Sequence, residues 1–162
     1  MLFPCVCDAS NTFSFLSANL NGFGDAYKLS LASNIILNHR PLAAVLSETK
    51  SAAPAAHMLD LPGYTLYENP GMPASRAVGK WGIVVALRKG FQLKRRLEIP
   101  LSLRARVIAL DIIITSPRPR VLRLVGIYAP WDVGDPSCLT FWNDIQQVIM
   151  LKPHNAPAHD AP

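Results

Sequence analysis

Glu48 occupies the position in this chain that most invites chemistry. It follows the apolar run Leu42-Ala43-Ala44-Val45-Leu46, with Ser47 between, and leads directly into Thr49 and Lys50. A carboxylate at the mouth of a buried strand is costly unless a cation, a hydrogen-bond donor or water meets it. In open α/β sheets the carboxyl ends of strands are also where ligands collect. A second run, Phe13–Ala18, ends in Asn19-Leu20-Asn21-Gly22, so two strand mouths carry polar groups that could share one ion. Simpler roles stand beside this one. Glu48 could be a helix cap or a salt-bridge partner, and Asn19 and Asn21 could be turn formers, since Asn-Gly suits positive φ.

The elements that must position these groups are legible in outline. The strand Phe13–Ala18 leads into a helix at 26–39, with Asp25 as N-cap, an apolar stripe of Leu29, Ala32 and Ile36, and Pro41 as stop. Leu42–Ser47 is the next strand. Strand, helix, strand makes a βαβ unit whose right-handed crossover sets the strands parallel and brings Asn21 and Glu48 to one sheet edge. A short Ala-rich helix follows Lys50, with Pro54 in its first turn. Strands are then expected at Tyr64–Glu68, Trp81–Leu87, Phe91–Leu97, Arg104–Ile114 and Val121–Tyr128, the last four joined by hairpin-type turns at 88–90 and 116–119. This order suggests one mixed sheet. A final helix begins near Pro136 and carries Cys138, Phe141, Trp142, Ile145, Val148 and Ile149 at helical spacing.

The 162 residues, half of them apolar, suit one domain rather than a disordered chain. No apolar stretch is long enough to span a membrane, and Met1-Leu2-Phe3-Pro4-Cys5 makes a poor secretory signal. An intracellular place, nucleus or cytoplasm, is therefore expected. Three cysteines argue for thiols rather than a disulfide framework, and Cys5 and Cys7 have no second pair at zinc spacing. The net charge of +5 is unevenly placed: twelve of the sixteen basic residues lie between Arg76 and Arg123, opposed there by Glu98 and Asp111 alone. Such a field would attract a polyanion, or it could simply protect strand edges. Gly79-Lys80 lacks the spacing of a P-loop, Gly22-Phe23-Gly24 has no third glycine of a dinucleotide fingerprint, and no Gly-x-Ser-x-Gly elbow occurs.

Four segments in order, Ser17-Ala18-Asn19-Leu20-Asn21-Gly22, Leu46-Ser47-Glu48-Thr49-Lys50, Gly79-Lys80-Trp81-Gly82-Ile83-Val84-Val85 and Val125-Gly126-Ile127-Tyr128-Ala129-Pro130, resemble the amino-terminal half of the endonuclease/exonuclease/phosphatase superfamily. This is the deoxyribonuclease I-like fold, in the flavour of exonuclease III and of non-LTR retrotransposon endonucleases. The resemblance implies a partial four-layer α/β sandwich, half of a two-sheet domain, with flanking helices. It implies Mg²⁺-dependent cleavage of DNA, with Glu48 and Asn21 at the metal and Asn19 arranging the phosphate site. Tyr128 matches a tyrosine that contacts the scissile phosphate, and Lys50 accompanies the glutamate in some members; Lys50, with Arg104 and Arg106 of the basic field, would touch nucleic acid. Read without it, Tyr128 could be an aromatic fitting between sheet and loop, and Trp81 reads as a packing residue rather than a base-stacking platform.

The family's second half brings a Gly-Asp-x-Asn strand end and a terminal Asp-His pair. Here Gly134-Asp135-Pro136-Ser137 precedes a helix, and His159-Asp160 has the reverse order. Without a positioned general base, a metal-bound water loses roughly 10²–10⁴-fold in rate. We expect a 1–12 extension, a truncated domain at 13–151, a disordered tail at 152–162, one weak Mg²⁺ site and little turnover. Self-association through a sheet face left bare is also expected. Alternatives are a non-catalytic nucleic-acid-binding remnant of a transposon nuclease, or a phosphatase or lipid phosphodiesterase of the same superfamily.

Overall fold

The computed structural model describes residues 3–5, 13–73, 80–115, 119–130 and 136–151. Cys7, the 116–118 part of the second turn and the 152–162 tail lie outside these residues, as do Arg76, Arg118, Asp135 and His159. The described residues form two sheets. The first has the order β1-β2-β3-β5-β4, from β1 (Phe3–Cys5), β2 (Phe15–Asn19), β3 (Ala43–Ser47), β4 (Tyr64–Asn69) and β5 (Ile83–Arg88); the second is β6-β7-β8, from β6 (Gln92–Arg96), β7 (Val107–Ile114) and β8 (Arg120–Ile127). With helices α1 (Ala26–His39) and α2 (Pro136–Met150), this is mixed α/β and a partial four-layer sandwich, as the sequence suggests. Within the region expected to be an extension, β1 pairs antiparallel with β2.

The β2-α1-β3 unit follows from local signals. The Asp25 carboxylate accepts hydrogen bonds from Tyr27 N (3.0 Å) and Lys28 N (3.2 Å), satisfying two amides of the first helical turn. At the other end Arg40 turns left-handed (φ 46°) and its N–H closes on Ile36 O, just before Pro41. Leu29 and Ile36 then bury against Ala44, Leu46, Val84 and Ala86 on one face of the first sheet. β2 and β3 are parallel, with Asn19 opposite Ser47. The Ala-rich segment after Lys50 is no full helix. Only Ala56–Met58 make a single 3₁₀ turn, whose leading amides at Ala55 and Ala56 are held by the Glu68 carboxylate.

The second half of the sheet expectation needs correction. The four strands after residue 80 do not form one meander in a single sheet. β5 lies between β3 and β4, so both its edges are already paired, and the chain must leave for a second layer. The run Ile83–Leu87, buried throughout, carries the mark of a central strand with both faces covered. The crossing occurs at Arg88-Lys89-Gly90, where Gly90 takes φ +97° and Phe91 packs edge-on against Phe13 at 5.6 Å. The second sheet is therefore built by this chain itself, and the sheet face expected to be left bare is covered: the inner faces meet through Ile83, Val85 and Leu87 against Ile108, Leu110 and Ile112. On its outer side Val107 and Ala109 bury Phe141, Ile145 and Val148 of α2. Trp142 and Ile149, expected on that buried stripe, are instead exposed, as are Leu139 and Met150.

β7 carries one buried charge. Asp111 is fully buried and is met by Arg123 Nε (2.7 Å) and Nη2 (2.9 Å) from β8 and by Arg95 Nε (3.2 Å) from β6. Burial would raise this carboxyl, but the hydrogen bonds and charges of Arg123, then Arg95, win and hold it below its ordinary value. Arg123 Nη1 also donates to the Val148 and Ile149 carbonyls, so the same guanidinium caps the end of α2. No described helix is long and apolar enough to cross a membrane.

Candidate functional site

Five non-glycine residues among those described have positive φ. One is the helix cap Arg40; the other four are Asn21 (51°), Glu48 (54°), Lys50 (53°) and Trp81 (65°). A left-handed backbone is costly for these side chains, most of all for Trp, and such strain persists only where surroundings over-determine it. Here the three segments brace one another. Leu20 N, Gly22 N and Phe23 N donate to Ser47 O (3.0 Å), Glu48 O (2.7 Å) and Thr49 O (2.9 Å), while Lys50 N donates to Trp81 O (2.7 Å). Gly82, at φ +90°, lets the start of β5 press on this turn: a Cβ there would stand 2.1 Å from Thr49 Oγ1.

On this strained base the side chains converge. The Tyr128 hydroxyl donates to Glu48 Oε1 across 80 residues of sequence. The Lys50 ammonium lies 3.7 Å from Glu48 Oε2 and also donates to Asn21 Oδ1. Asn19 joins through the main chain, its Oδ1 accepting from Asn21 N at 2.9 Å, which is a turn-forming contact. Tyr128 arrives because Gly126, two residues earlier, lets β8 come close to the first sheet. A Cβ at Gly126 would stand 3.0 Å from Val45 Cγ1 and 3.3 Å from Val85 Cγ2. Tyr128 N then donates to Arg106 O at 2.8 Å, fixing the end of β8 against the turn before β7.

Of the expected contact residues, Lys50 stands in this cluster and Arg106 beside it. The Arg106 guanidinium lies 4.0 Å from the Trp81 ring centroid, 5.8 Å from that of Tyr128 and 5.7 Å from that of Phe141. Arg104 does not join them; it lines a separate depression with Asn69, Arg96 and Glu98. Much of the basic field serves the fold. Arg95 and Arg123 hold Asp111, Arg96 donates to Glu68 O and Asn69 Oδ1, and Arg88 donates to Arg40 O. The edge-protecting role weighed from sequence fits β6, an edge strand carrying Lys94, Arg95 and Arg96. Trp81 as the platform for Arg106 is a role that sequence reasoning missed; the backbone strain behind it leaves no mark in residue type.

Burial first, then the hydrogen bond and charge of Glu48, push the Tyr128 phenol up to about 12 against an opposing effect of Arg106. Tyr128 is thus a standing proton donor at neutral pH and no base. Among the described residues no group of three or more His, Cys, Asp and Glu gathers to hold a metal. Any ion at this point would have one carboxylate, Glu48, and the Asn21 amide oxygen. Both are oxygen donors of the kind Mg²⁺ takes alongside retained water. They already converge on one cationic group, the Lys50 ammonium, so the donor set fits a small cation. A cavity of about 680 Å³ opens beside it, lined by Asn21, Gly22, Thr49, Lys50, Ser51 and Met58.

No protein-family model and no curated sequence matches this chain. Solved structures do. The AP endonuclease LMAP of Leishmania major superposes with a TM-score of 0.54 at 18% identity, over 73% of this chain and 40% of that one. The catalytic domain of Xenopus laevis APE2 gives 0.57 at 18% identity, over 82% and 51%. A humanised D. rerio TDP2 gives 0.65 at 16% identity, over 87% and 61%. The chain thus spans between two fifths and three fifths of these proteins' lengths. Two packed sheets with α1 and α2 outside them, matched over most of this chain, share the fold of these solved structures, a deoxyribonuclease I-like sandwich in part.

Proposed function

We propose that this chain carries the cation and phosphate-contact part of a phosphodiester-hydrolysing site that acts on DNA with Mg²⁺. The observation that supports this most is the meeting of Glu48, Asn21, Lys50 and Tyr128 from three separate strand ends on a strained backbone. Glu48 and Asn21 would hold the ion, and when bound it would polarise a phosphate oxygen as a Lewis acid. Tyr128 keeps its proton throughout the neutral range and is placed to donate to a phosphate oxygen as charge builds there. Asn19 holds the 19–22 turn in shape, Lys50 adds positive charge at the cavity it lines, and Arg106 adds positive charge beside Tyr128. No described residue supplies a general base next to Glu48, so turnover by this chain alone is low. Domain limits of 13–151, and an intracellular place, go with this reading. Self-association, expected through a bare sheet face, would instead use the exposed Leu139, Trp142, Ile149 and Met150 of α2.

Nicking of supercoiled plasmid and DNA binding, each with and without Mg²⁺, test the proposal. Binding strengthened by Mg²⁺ is expected, with that increment lost in Glu48→Ala and nicking weak in both proteins. Binding that falls steeply with salt but ignores Mg²⁺ would favour a non-catalytic binder instead. Robust nicking abolished by Glu48→Ala would overturn the incomplete-site reading.

A further inference from the structure

We infer that Lys50 is the built-in counter-ion of this site: its ammonium occupies the place between Glu48 and Asn21 that a divalent cation would take, and must withdraw before the cation enters. This holds only if Glu48 is the cation ligand proposed above. Three observations carry it. One ammonium is shared by both donors, at 3.7 Å from Glu48 Oε2 and in a hydrogen bond to Asn21 Oδ1. An ammonium and a metal ion need the same oxygen lone pairs, so the two cannot be seated there together. A positive charge left within about 4 Å of a divalent ion would also repel it strongly, even in water.

The second observation is that Lys50 cannot leave by moving its backbone. Its left-handed φ of 53° is locked by the Lys50 N–H to Trp81 O bond, so withdrawal is a rotation of the side chain alone. The third is that room for this rotation exists. Gly22 presents no side chain to the Lys50 stem, and a Cβ there would come to 3.9 Å of Lys50 Cδ. Beyond lies the 680 Å³ cavity that Lys50 itself lines. The side chain is already about one third exposed, against 19% for Glu48, so the move costs little burial. Once turned into that cavity, the ammonium leaves the two oxygens for the cation and meets an anionic group entering from solvent. Without a cation it neutralises Glu48 and keeps the two donors together. Lys50 is on this account a positioning residue whose loss improves cation affinity, the opposite of what a merely structural lysine would do.

Isothermal titration of the full chain with MgCl₂, at fixed pH and ionic strength, tests this with Lys50→Met, Lys50→Gln, Lys50→Arg and Glu48→Gln, each first checked for a cooperative thermal transition. Lys50→Met and Lys50→Gln are expected to bind Mg²⁺ about tenfold more tightly than wild type. Lys50→Arg, which keeps the charge, should stay near wild type, and Glu48→Gln should lose binding. Unchanged or weaker affinity in both neutral variants, with Glu48→Gln still defective, overturns the counter-ion role and leaves Glu48 as the ligand. Glu48→Gln binding as well as wild type, or no Mg²⁺ binding by any protein, overturns the proposed cation site and this inference with it.

Discussion

Replacing Tyr128 by Phe removes one hydroxyl from the contact that joins the second sheet to the mouth of β3. The group lost is a donor to a carboxylate, and hydrogen bonds to charged partners contribute about 1.5–3 kcal/mol. Glu48 in the variant keeps the Lys50 ammonium at 3.7 Å and some solvent, its side chain being 19% exposed, so the lower part of that range applies. A loss of about 1.5–2 kcal/mol in urea unfolding at pH 7.5 is expected. In a cycle with Glu48→Gln, most of it should appear as coupling between the two positions. The pH dependence has a definite sign. The phenol is raised from 10.0 to about 12, so the stabilisation is fully present below pH 10 and is lost as pH rises from 10 towards 12. The gap between wild type and Tyr128→Phe should close over that window. Ultraviolet titration of the tyrosines should show late phenols at Tyr64, raised by burial, and at Tyr128, of which only that of Tyr128 moves down in Glu48→Gln. Coupling below about 0.5 kcal/mol, or no late phenol that moves in Glu48→Gln, would refute the convergence of Tyr128 on Glu48.

Two further outcomes test the frame around the site. Asp111→Ala strands the guanidinium of Arg123, which is 9% exposed, and should cost about 3–5 kcal/mol. Because the carboxyl lies below its ordinary 3.8, its stabilisation is present above that pH and is lost as pH falls through the folded-state value. Wild type and Asp111→Asn should therefore converge in acid, and equal stability at pH 7 would contradict the buried network. Gly82→Ala forces a Cβ to 2.1 Å from Thr49 Oγ1 at φ +90°. It should destabilise by about 2 kcal/mol or more and release the 48–50 turn, read as faster amide exchange at Lys50. Unchanged exchange there would deny that Gly82 sets this turn.

What the residues determined on their own was local. Asp25 and Pro41 bounded α1, the run Leu42–Leu46 made a strand, and the handedness of a βαβ crossover brought Asn21 and Glu48 to one edge. Caps, stops and periodicity act over a few residues, so they can be read in order along the chain. Tertiary structure decided the rest. β5 was claimed on both edges by β3 and β4, which sent β6, β7 and β8 into a second layer; no local pattern states which strands compete for an edge. The contact of Tyr128 with Glu48 depends on how closely β8 approaches β3 at Gly126. The duties of Arg88, Arg95, Arg96 and Arg123 depend on which carboxylates and carbonyls the packed layers bring within reach. Composition counts charges, but burial and distance decide which of them are left to meet a ligand.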